Sequence, residues 1–328
     1  ASWNNRAVRS DEGTGAGVFE AVVANVARVI QGNDAAIHHA VTCLVAGGHL
    51  LIEDVPGVGK TSLGKALAAS VSCTHRRIQF TSDLLPSDVT GVSVFDRQTS
   101  LFEFRPGPIF ANIVLADEIN RTPPKTQSAL LEAMEEQQVT VDGVTYELPS
   151  PFMVVATQNP IEHEGTYPLP VSQLDRFFMR VHLGYPDPAD EVDLLERHGV
   201  DEPLDTLLPV CSLEDILALS RRVTEAHCST ALQRYVVDIA NATRSHPSIL
   251  LGMSPRAALA LQRAARAWAV LRGRDFVTPD DVKAVAIPVL GHRLELRSTR
   301  TGAADQVAAI VSEILTKVPV LEGEPARS

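Results

Sequence analysis

Residues Gly57-Val58-Gly59-Lys60-Thr61-Ser62 put two glycines, a lysine and two hydroxyls into six consecutive positions. Glycines let backbone N–H groups close on phosphate oxygens, a lysine reaches the β- and γ-phosphates, and a hydroxyl can ligate magnesium. The usual spacing, G-x-x-x-x-G-K-[ST], asks for a glycine where this chain has Asp54. That position shapes the loop and takes no part in chemistry. Aspartate tolerates unusual backbone angles, its carboxylate can bond nearby amides, and Pro56 adds stiffness. A phosphate site is expected here rather than a plain strand–helix turn, with Asp54 in a structural role.

A second stretch, "NIVLADEIN", ends an apolar run on Asp117 and Glu118. Two acids at the carboxyl end of a buried strand suit a nucleotide enzyme: Asp117 to hold magnesium through water, Glu118 to act as general base. A solvated turn is the plainer alternative. "VVATQNP" ends in the same way on Asn159, which either orients the attacking water and contacts the γ-phosphate or simply starts an Asn-Pro turn. "LDRFFMR" offers Arg176 and Arg180. Arg176 suits an arginine inserted from a neighbouring subunit to stabilise transition-state charge; surface ion pairing is its alternative, and the alternative of choice for Arg180. "MSPRAALAL" places Arg256 at a helix start, able to reach a nucleotide lodged between two domains.

The elements that must position these groups are legible in hydrophobic period. Val18 to Ala46 reads as helical with a break at "QGND", where Asn33 or Asp34 caps a second helix. "HLLIED", "RRIQF", "NIVLAD", "FMVVATQ" and "FFMRVHL" read as buried strands alternating with helices, hence a parallel sheet covered on both faces. Two stretches break the rhythm. "QVTVDGVTYEL" alternates across Asp142-Gly143, the signal of a two-residue hairpin, and "GVSVFDRQTSLFEF" alternates across a longer loop. After Pro188 the strands stop and a helical region follows. Leu213, Ile216, Leu217 and Val223 make one apolar stripe; Leu232, Tyr235, Val236, Ile239 and Ala240 make another. Ser254-Pro255 and Thr278-Pro279, the latter with Asp281 returning the cap, begin two more helices. The fold class is α/β with an all-α unit after it: residues 1–15 a disordered tail, 16–186 an α/β core, 187–320 helical, 321–328 frayed.

Composition narrows the function. A chain of 328 residues has room for two cores, and 45% hydrophobic with 21% charged residues is ordinary for a globular protein. A net charge of −11 argues against wrapping nucleic acid, and 5% aromatics leave few stacking platforms for single strands. Cys43, Cys73, Cys211 and Cys228 are scattered, which disfavours zinc and a disulfide framework. His38 and His39 are adjacent on a helix and so are not a metal pair. No apolar run approaches the roughly 18 residues that span a membrane, and "ASWNNRAVRSDEGTGAG" lacks the apolar centre of a signal peptide. The expectation is a cytoplasmic protein.

Taken in order, the glycine loop, the acid strand, the asparagine strand and the two arginines resemble an AAA+ ATPase. "LLIEDVPGVGKT", "RIQFTSDLLPSDVTG", "ADEINRTPPKTQSALLEAMEE" and "LPVSQLDRFFMR" are similar to the MoxR family, over roughly Ala16 to Leu296. The resemblance implies an AAA+ P-loop NTPase domain, a five-stranded parallel sheet with two β-hairpin inserts, followed by an all-α lid. It implies ATP and Mg2+ as cofactors. Gly57 to Ser62, with Lys60 and Thr61, match Walker A; Asp117 and Glu118 match Walker B. Asn159 matches sensor 1, Arg176 the arginine finger and Arg256 sensor 2. Ile30, Gln31 and Gly32 would touch adenine. The hairpin at 91–104 corresponds to the helix-2 insert and that at 138–148 to the pre-sensor-1 insert. Asp54 resembles a common family variant. Such proteins form homo-oligomeric rings, commonly hexamers, and act as chaperone-like remodellers whose partners often carry von Willebrand factor A (VWA) domains.

Three functions stand beside one another on this reading. The first is a magnesium-dependent ATPase that remodels or matures protein partners. The second is a nucleotide-gated scaffold with little turnover, which an intact Glu118 and Arg176 disfavour. The third is a nucleic-acid-associated motor of the same clade, which the acidic balance disfavours. A small-molecule phosphotransferase is weakest, because no acceptor pocket can be named.

Overall fold

The computed structural model describes residues 15–160, 165–197, 203–298 and 303–320; the tails expected at 1–15 and 321–328 lie outside these residues but for Gly15. Two helices come first, α1 (Gly15–Ala27) and α2 (Asp34–Val45). Asn33 occupies the cap position of α2, though its side chain makes no capping bond. β1 (Leu50–Glu53) and α3 (Lys60–Ala69) flank the glycine loop. β2 (Val71–Ser72) and β3 (His75–Gln79) follow, and a short α4 (Pro86–Thr90) leads into the hairpin β4 (Gly91–Asp96) and β5 (Leu101–Pro106). β6 (Ile113–Asp117), α5 (Pro124–Glu136), the hairpin β7 (Gln138–Val141) and β8 (Val144–Glu147), β9 (Met153–Gln158), α6 (Val171–Leu174) and β10 (Met179–Val181) complete the α/β part. Then come α7 (Pro188–Arg197), β11 (Cys211–Ser212), α8 (Leu213–Glu225), α9 (Thr230–Ser245), β12 (Ile249–Leu251), α10 (Pro255–Leu271), α11 (Pro279–Leu290), β13 (Glu295–Leu296) and α12 (Ala303–Lys317).

The main sheet has the order β10-β1-β9-β6-β3 with every pairing parallel. The five strands are those expected, with one correction. β3 is an edge strand on which only Ile78 is buried, so "RRIQF" is not a buried strand. Its exposed arginines keep an edge open to solvent from pairing with another chain. The central strands are apolar on both faces, as a doubly covered sheet requires. Leu50, Ile52, Leu115 and Val155 enter one apolar cluster, and Leu51, Val114, Ala116 and Val154 the other, following the two-residue alternation of a strand. Gly64 sits where α3 crosses the sheet: a Cβ there would come 2.8 Å from Leu115 Cδ2. Alanine in its place would push helix and sheet apart.

Both hairpins form as expected. Asp142 and Gly143 each adopt positive φ, the two-residue turn that matches strand twist. The expectation that strands end at Pro188 needs correction. β11 pairs in parallel with β2, and β12 pairs antiparallel with β13. Each is too short to carry a periodic pattern. The helical stripes hold, with Leu219 rather than Leu217 fully buried on α8. The capping serines Ser212, Ser229 and Ser254 each accept a bond from a first-turn amide. His38 and His39, placed on different faces by spacing, both lie against the Trp268 ring, at 6.3 and 5.3 Å.

Burial is divided by the faces of the sheet and not by position along the chain. One cluster runs from Phe19 through α2, α3 and one sheet face to Tyr235, Trp268 and Ile314. The other lies between the opposite sheet face and α5. His49 joins the second cluster to the sheet. The Val154 amide donates to its Nδ1 at 3.0 Å, so the proton is on Nε2, which donates to the Met134 carbonyl at 3.0 Å. Burial pushes the His49 pKa down to about 4, against a smaller upward pull from the Met134 bond. In the unfolded chain the imidazole takes its proton near 6.5. The unfolded state therefore binds more protons between these values, and stability falls as pH falls through that window. Between pH 7 and pH 5 His49 should withdraw about 2 kcal/mol. The melting temperature of His49→Gln should then fall less over that range than that of the wild type, measured by thermal unfolding at both pH values. Equal falls would show that His49 is not the group that titrates.

Candidate nucleotide site

The phosphate loop joins β1 to α3. Gly57 and Gly59 adopt φ of 85° and 91°, a region that favours glycine, and Gly59 caps α3. Among the described residues, its two chain neighbours apart, no atom lies within 4 Å of where a Gly57 Cβ would stand, so the loop is an open cradle of amides at a helix N-terminus. Lys60 Nζ donates to the carbonyls of Asp54 and Val55, both at 2.6 Å, which arches its side chain back over the loop. Val58 packs on the core, and Ser62 follows Thr61 into α3.

Asp54 does what an acid at that position can do. Its Oδ1 accepts from the Val55 amide at 2.8 Å, and its Oδ2 accepts from the Leu183 and Gly184 amides at 2.8 and 2.7 Å. The carboxylate thus fastens the loop to the segment leaving β10. Length along the chain gave no hint of that partner, 129 residues away.

Asp117 ends β6 almost completely buried, at 2% exposure. Its Oδ1 accepts from the Thr61 hydroxyl at 3.0 Å and the Thr157 hydroxyl at 3.3 Å, and its Oδ2 accepts from Arg77 Nε at 2.6 Å. Glu118 stands in the left-handed region at φ 57° and ψ 48°, which costs a non-glycine residue about 1 kcal/mol or more. The bond from its amide to Thr157 Oγ1, at 3.0 Å, holds it there and turns its side chain out of the strand. Glu118 Oε2 accepts from Gln79 Nε2 and Arg121 Nη1, each at 2.9 Å. Asn159 lies just past β9, between β1 and β6, and its carbonyl accepts from Asn120 Nδ2 at 3.1 Å. Loop, acid pair and asparagine therefore converge at the carboxyl edge of three adjacent parallel strands, where such sheets bind ligands.

Gln31 and Gly32 reach the same edge. Ile30 Cδ1 comes 3.5 Å from where a Cβ at Gly59 would be, and Gly32, at φ 71°, has the Asp190 carboxylate so close that a Cβ would collide with it. Gln31 Oε1 is buried with no hydrogen-bond partner among the described residues.

The two arginines lie elsewhere. Arg176 Nε is 3.1 Å from Glu135 Oε2, and Arg256 Nη1 is 3.0 Å from Glu135 Oε1. Glu135 belongs to the last turn of α5, which His49 ties to the start of β1. Arg176 and Arg256 thus occupy the amino edge of the sheet, a strand length of about 13 Å or more from the loop. Arg256 does not reach its own chain's loop from between two domains, and the spacing of a helix start had no means of revealing this. Arg180, grouped with Arg176 by sequence, instead bonds the nearly buried Glu53 at 3.2 Å and the Gly291 carbonyl at 2.8 Å.

Arg77, Gln79, Thr157 and Asn120 were not singled out from sequence. Only their place opposite Asp117 and Glu118 in the parallel register marks them: Gln79 pairs with Asp117, and Ala116 with Ala156.

Comparison with known proteins gives the family. The profile of the ATPase family associated with various cellular activities (AAA) matches residues 49–179, and an AAA lid domain profile matches residues 241–314. The chain is 52% identical to an uncharacterised protein of Bacillus subtilis, YeaC, over 91% of this chain and 94% of that one. It is 42% identical to the chaperone MoxR1 of Mycobacterium tuberculosis, over 92% of this chain and 81% of that one. A crystal structure of an ATPase from Cytophaga hutchinsonii superposes with a TM-score of 0.82 at 37% identity, covering 94% of this chain and 96% of that one.

Asp54→Ala takes the acceptor from three amides, those of Val55, Leu183 and Gly184, and should cost about 1–3 kcal/mol in denaturant unfolding. Phosphate chemistry should survive: ATP turnover at saturating ATP should stay within about tenfold of wild type, or roughly 1.4 kcal/mol of barrier. A loss of several orders of magnitude in a folded variant would put the carboxylate into the reaction.

Proposed function

The chain belongs to the MoxR family of AAA+ ATPases, and we propose that it couples magnesium-dependent ATP hydrolysis to the remodelling or maturation of protein partners. The observation that carries this reading is the 3.0 Å bond between the Thr61 hydroxyl and the Asp117 carboxylate. It brings the phosphate loop and the acid strand into one site. The oxygen donors Thr61 and Asp117 fit Mg2+, a hard cation held by hydroxyl, carboxylate and phosphate oxygens. When bound, the ion supplies charge neutralisation at the β- and γ-phosphates.

The chain's own residues take the remaining roles. The amides of Gly57, Val58, Gly59 and Lys60 cradle phosphate oxygens, Ser62 adds a hydroxyl in the first turn of α3, and Lys60 Nζ exchanges its loop carbonyls for phosphate. Glu118 accepts a proton from the attacking water, and Asn159 orients that water. Gln79 holds the Glu118 carboxylate in place at 2.9 Å. Gln31 and Gly32, which follow Ile30 beside the loop, are placed to line the adenine. Arg176 and Arg256, at the far edge of the sheet, act in this reading on a neighbouring subunit's nucleotide. That calls for a homo-oligomeric ring, and a hexamer is the simplest.

Residues 16–186 serve as the ATPase core and 187–320 as the lid, and no helix among the described residues is long and apolar enough to cross a membrane. The working compartment is the cytoplasm and the partner a protein with a VWA domain, by likeness to the family. The β4–β5 hairpin exposes Phe95, Leu101 and Phe102, and Phe104 stacks on Tyr146 of the second hairpin at 4.0 Å. Apolar tips joined in this way suit contact with a protein more than with nucleic acid, and the charge of −11 weighs the same way. A scaffold without turnover would have no use for Glu118 held in a strained conformation.

Two measurements test the assignment. Lys60→Ala should abolish ATP binding, whereas Glu118→Gln should bind ATP with near wild-type affinity and lose turnover by at least a hundredfold. Equal loss of affinity in both would refute this division of roles. Mixed together, Arg176→Ala and Glu118→Gln proteins should turn over more ATP than the sum of the two alone, because some interfaces then pair an intact Glu118 with an intact Arg176.

A further inference from the structure

We propose that Glu135 is a positioning residue for the reaction at the neighbouring subunit's nucleotide, holding Arg176 and Arg256 as a preset pair. This rests on the reading of Arg176 as acting across the subunit boundary. Glu135 touches no substrate in it.

One carboxylate here serves two guanidinium groups. Oε2 takes Arg176 through Nε at 3.1 Å, and Oε1 takes Arg256 through Nη1 at 3.0 Å. The two arginines come from opposite ends of the fold, one before β10 and one in the first turn of α10. Brought together without an anion they would repel each other. A single exposed ion pair would add little, but a shared carboxylate fixes the separation of the two groups.

The way each arginine is held leaves it usable. Arg176 is engaged through Nε, and among the described residues neither of its terminal nitrogens donates a hydrogen bond. These nitrogens are available to a phosphate oxygen. Arg256 is steadied on a second edge, with Nε 3.8 Å from Asp175 Oδ2. Asp175 is itself anchored by Arg293 Nε at 2.6 Å, and Arg293 is nearly buried and donates to the Phe177 and Phe178 carbonyls. Burial lowers the pKa of Arg293 from its usual value while Asp175 raises it, and its backbone partners keep the group in place. Three guanidinium groups against two carboxylates leave this cluster one unit positive on an acidic protein. An incoming γ-phosphate meets that excess.

The advantage is entropic. Ordering a free arginine costs side-chain entropy, and Glu135 has this done before the nucleotide arrives. The site is then built with its charge already aimed.

The test uses purified full-length proteins. Glu135→Ala should bind ATP with unchanged affinity and keep its KM within about threefold, yet lose at least tenfold in kcat. Glu135→Gln, which keeps one acceptor oxygen but loses the charge and the second oxygen, should fall between. Mixed with Glu118→Gln, Glu135→Ala should recover turnover above the sum of the two, as Arg176→Ala does in the same mixture. Recovery with Arg176→Ala but not with Glu135→Ala overturns the proposal and leaves the role of Arg176 standing. Recovery with neither removes that role and the proposal with it. Wild-type or faster turnover by Glu135→Ala alone also overturns it. Should Glu135→Ala fail to fold, Glu135→Gln carries the same measurements with the same outcomes.

Discussion

A buried carboxylate on which four elements converge organises this protein. Asp117 is shut away from water, and an unpartnered charge there would cost several kcal/mol. Thr61 from α3, Thr157 from β9 and Arg77 from β3 each give it a hydrogen bond, so meeting its needs brings helix, central strand and edge strand into register. Thr157 repeats the service for the Glu118 amide, and with that bond the left-handed turn at Glu118 becomes tolerable. Remove the carboxylate's partners and both the phosphate loop and Glu118 lose their reference point.

A parallel sheet has two unlike edges, and the chain uses both. The carboxyl edge gathers loop, acids and asparagine. The amino edge gathers Arg176, Arg256 and Glu135. α5 spans the distance: it begins just after the Glu118 turn, whose Arg121 pairs with Glu118, and ends on Glu135. Under the proposed arrangement each subunit brings the larger part of a site at one edge and the completing charges at the other, which makes assembly a chemical requirement.

The C-terminal helices have no core of their own. Tyr235, Leu261, Trp268 and Val289 belong to the same apolar cluster as α2, α3 and one face of the sheet. Burial on that scale ties the position of α10, and so of Arg256, to the sheet. The hairpins are the reverse case. Much of their apolar surface stays exposed, and the stacking of Phe104 on Tyr146 joins them to each other.

By itself the sequence determined what depends on local period and local chemistry. Strands show as apolar runs because both faces of a parallel sheet are dry. Helix starts show at Ser254 and Thr278 because a cap needs its own side chain, and the Asp142-Gly143 turn shows because few residues accept positive φ. Gly57 to Thr61, Asp117, Glu118 and Asn159 were legible for the same reason: each must end or follow a strand. Everything that depends on chain crossing chain was left to the tertiary structure. Leu183 and Gly184 as partners of Asp54, Arg77 and Thr157 on Asp117, the buried Arg180–Glu53 pair and the meeting of Arg176 with Arg256 all join segments that spacing cannot relate. Only the order of strands and the packing of α10 onto the sheet decide which edge a charged side chain reaches, and that choice separates Lys60, Asp117 and Glu118 at one edge from Arg176 and Arg256 at the other.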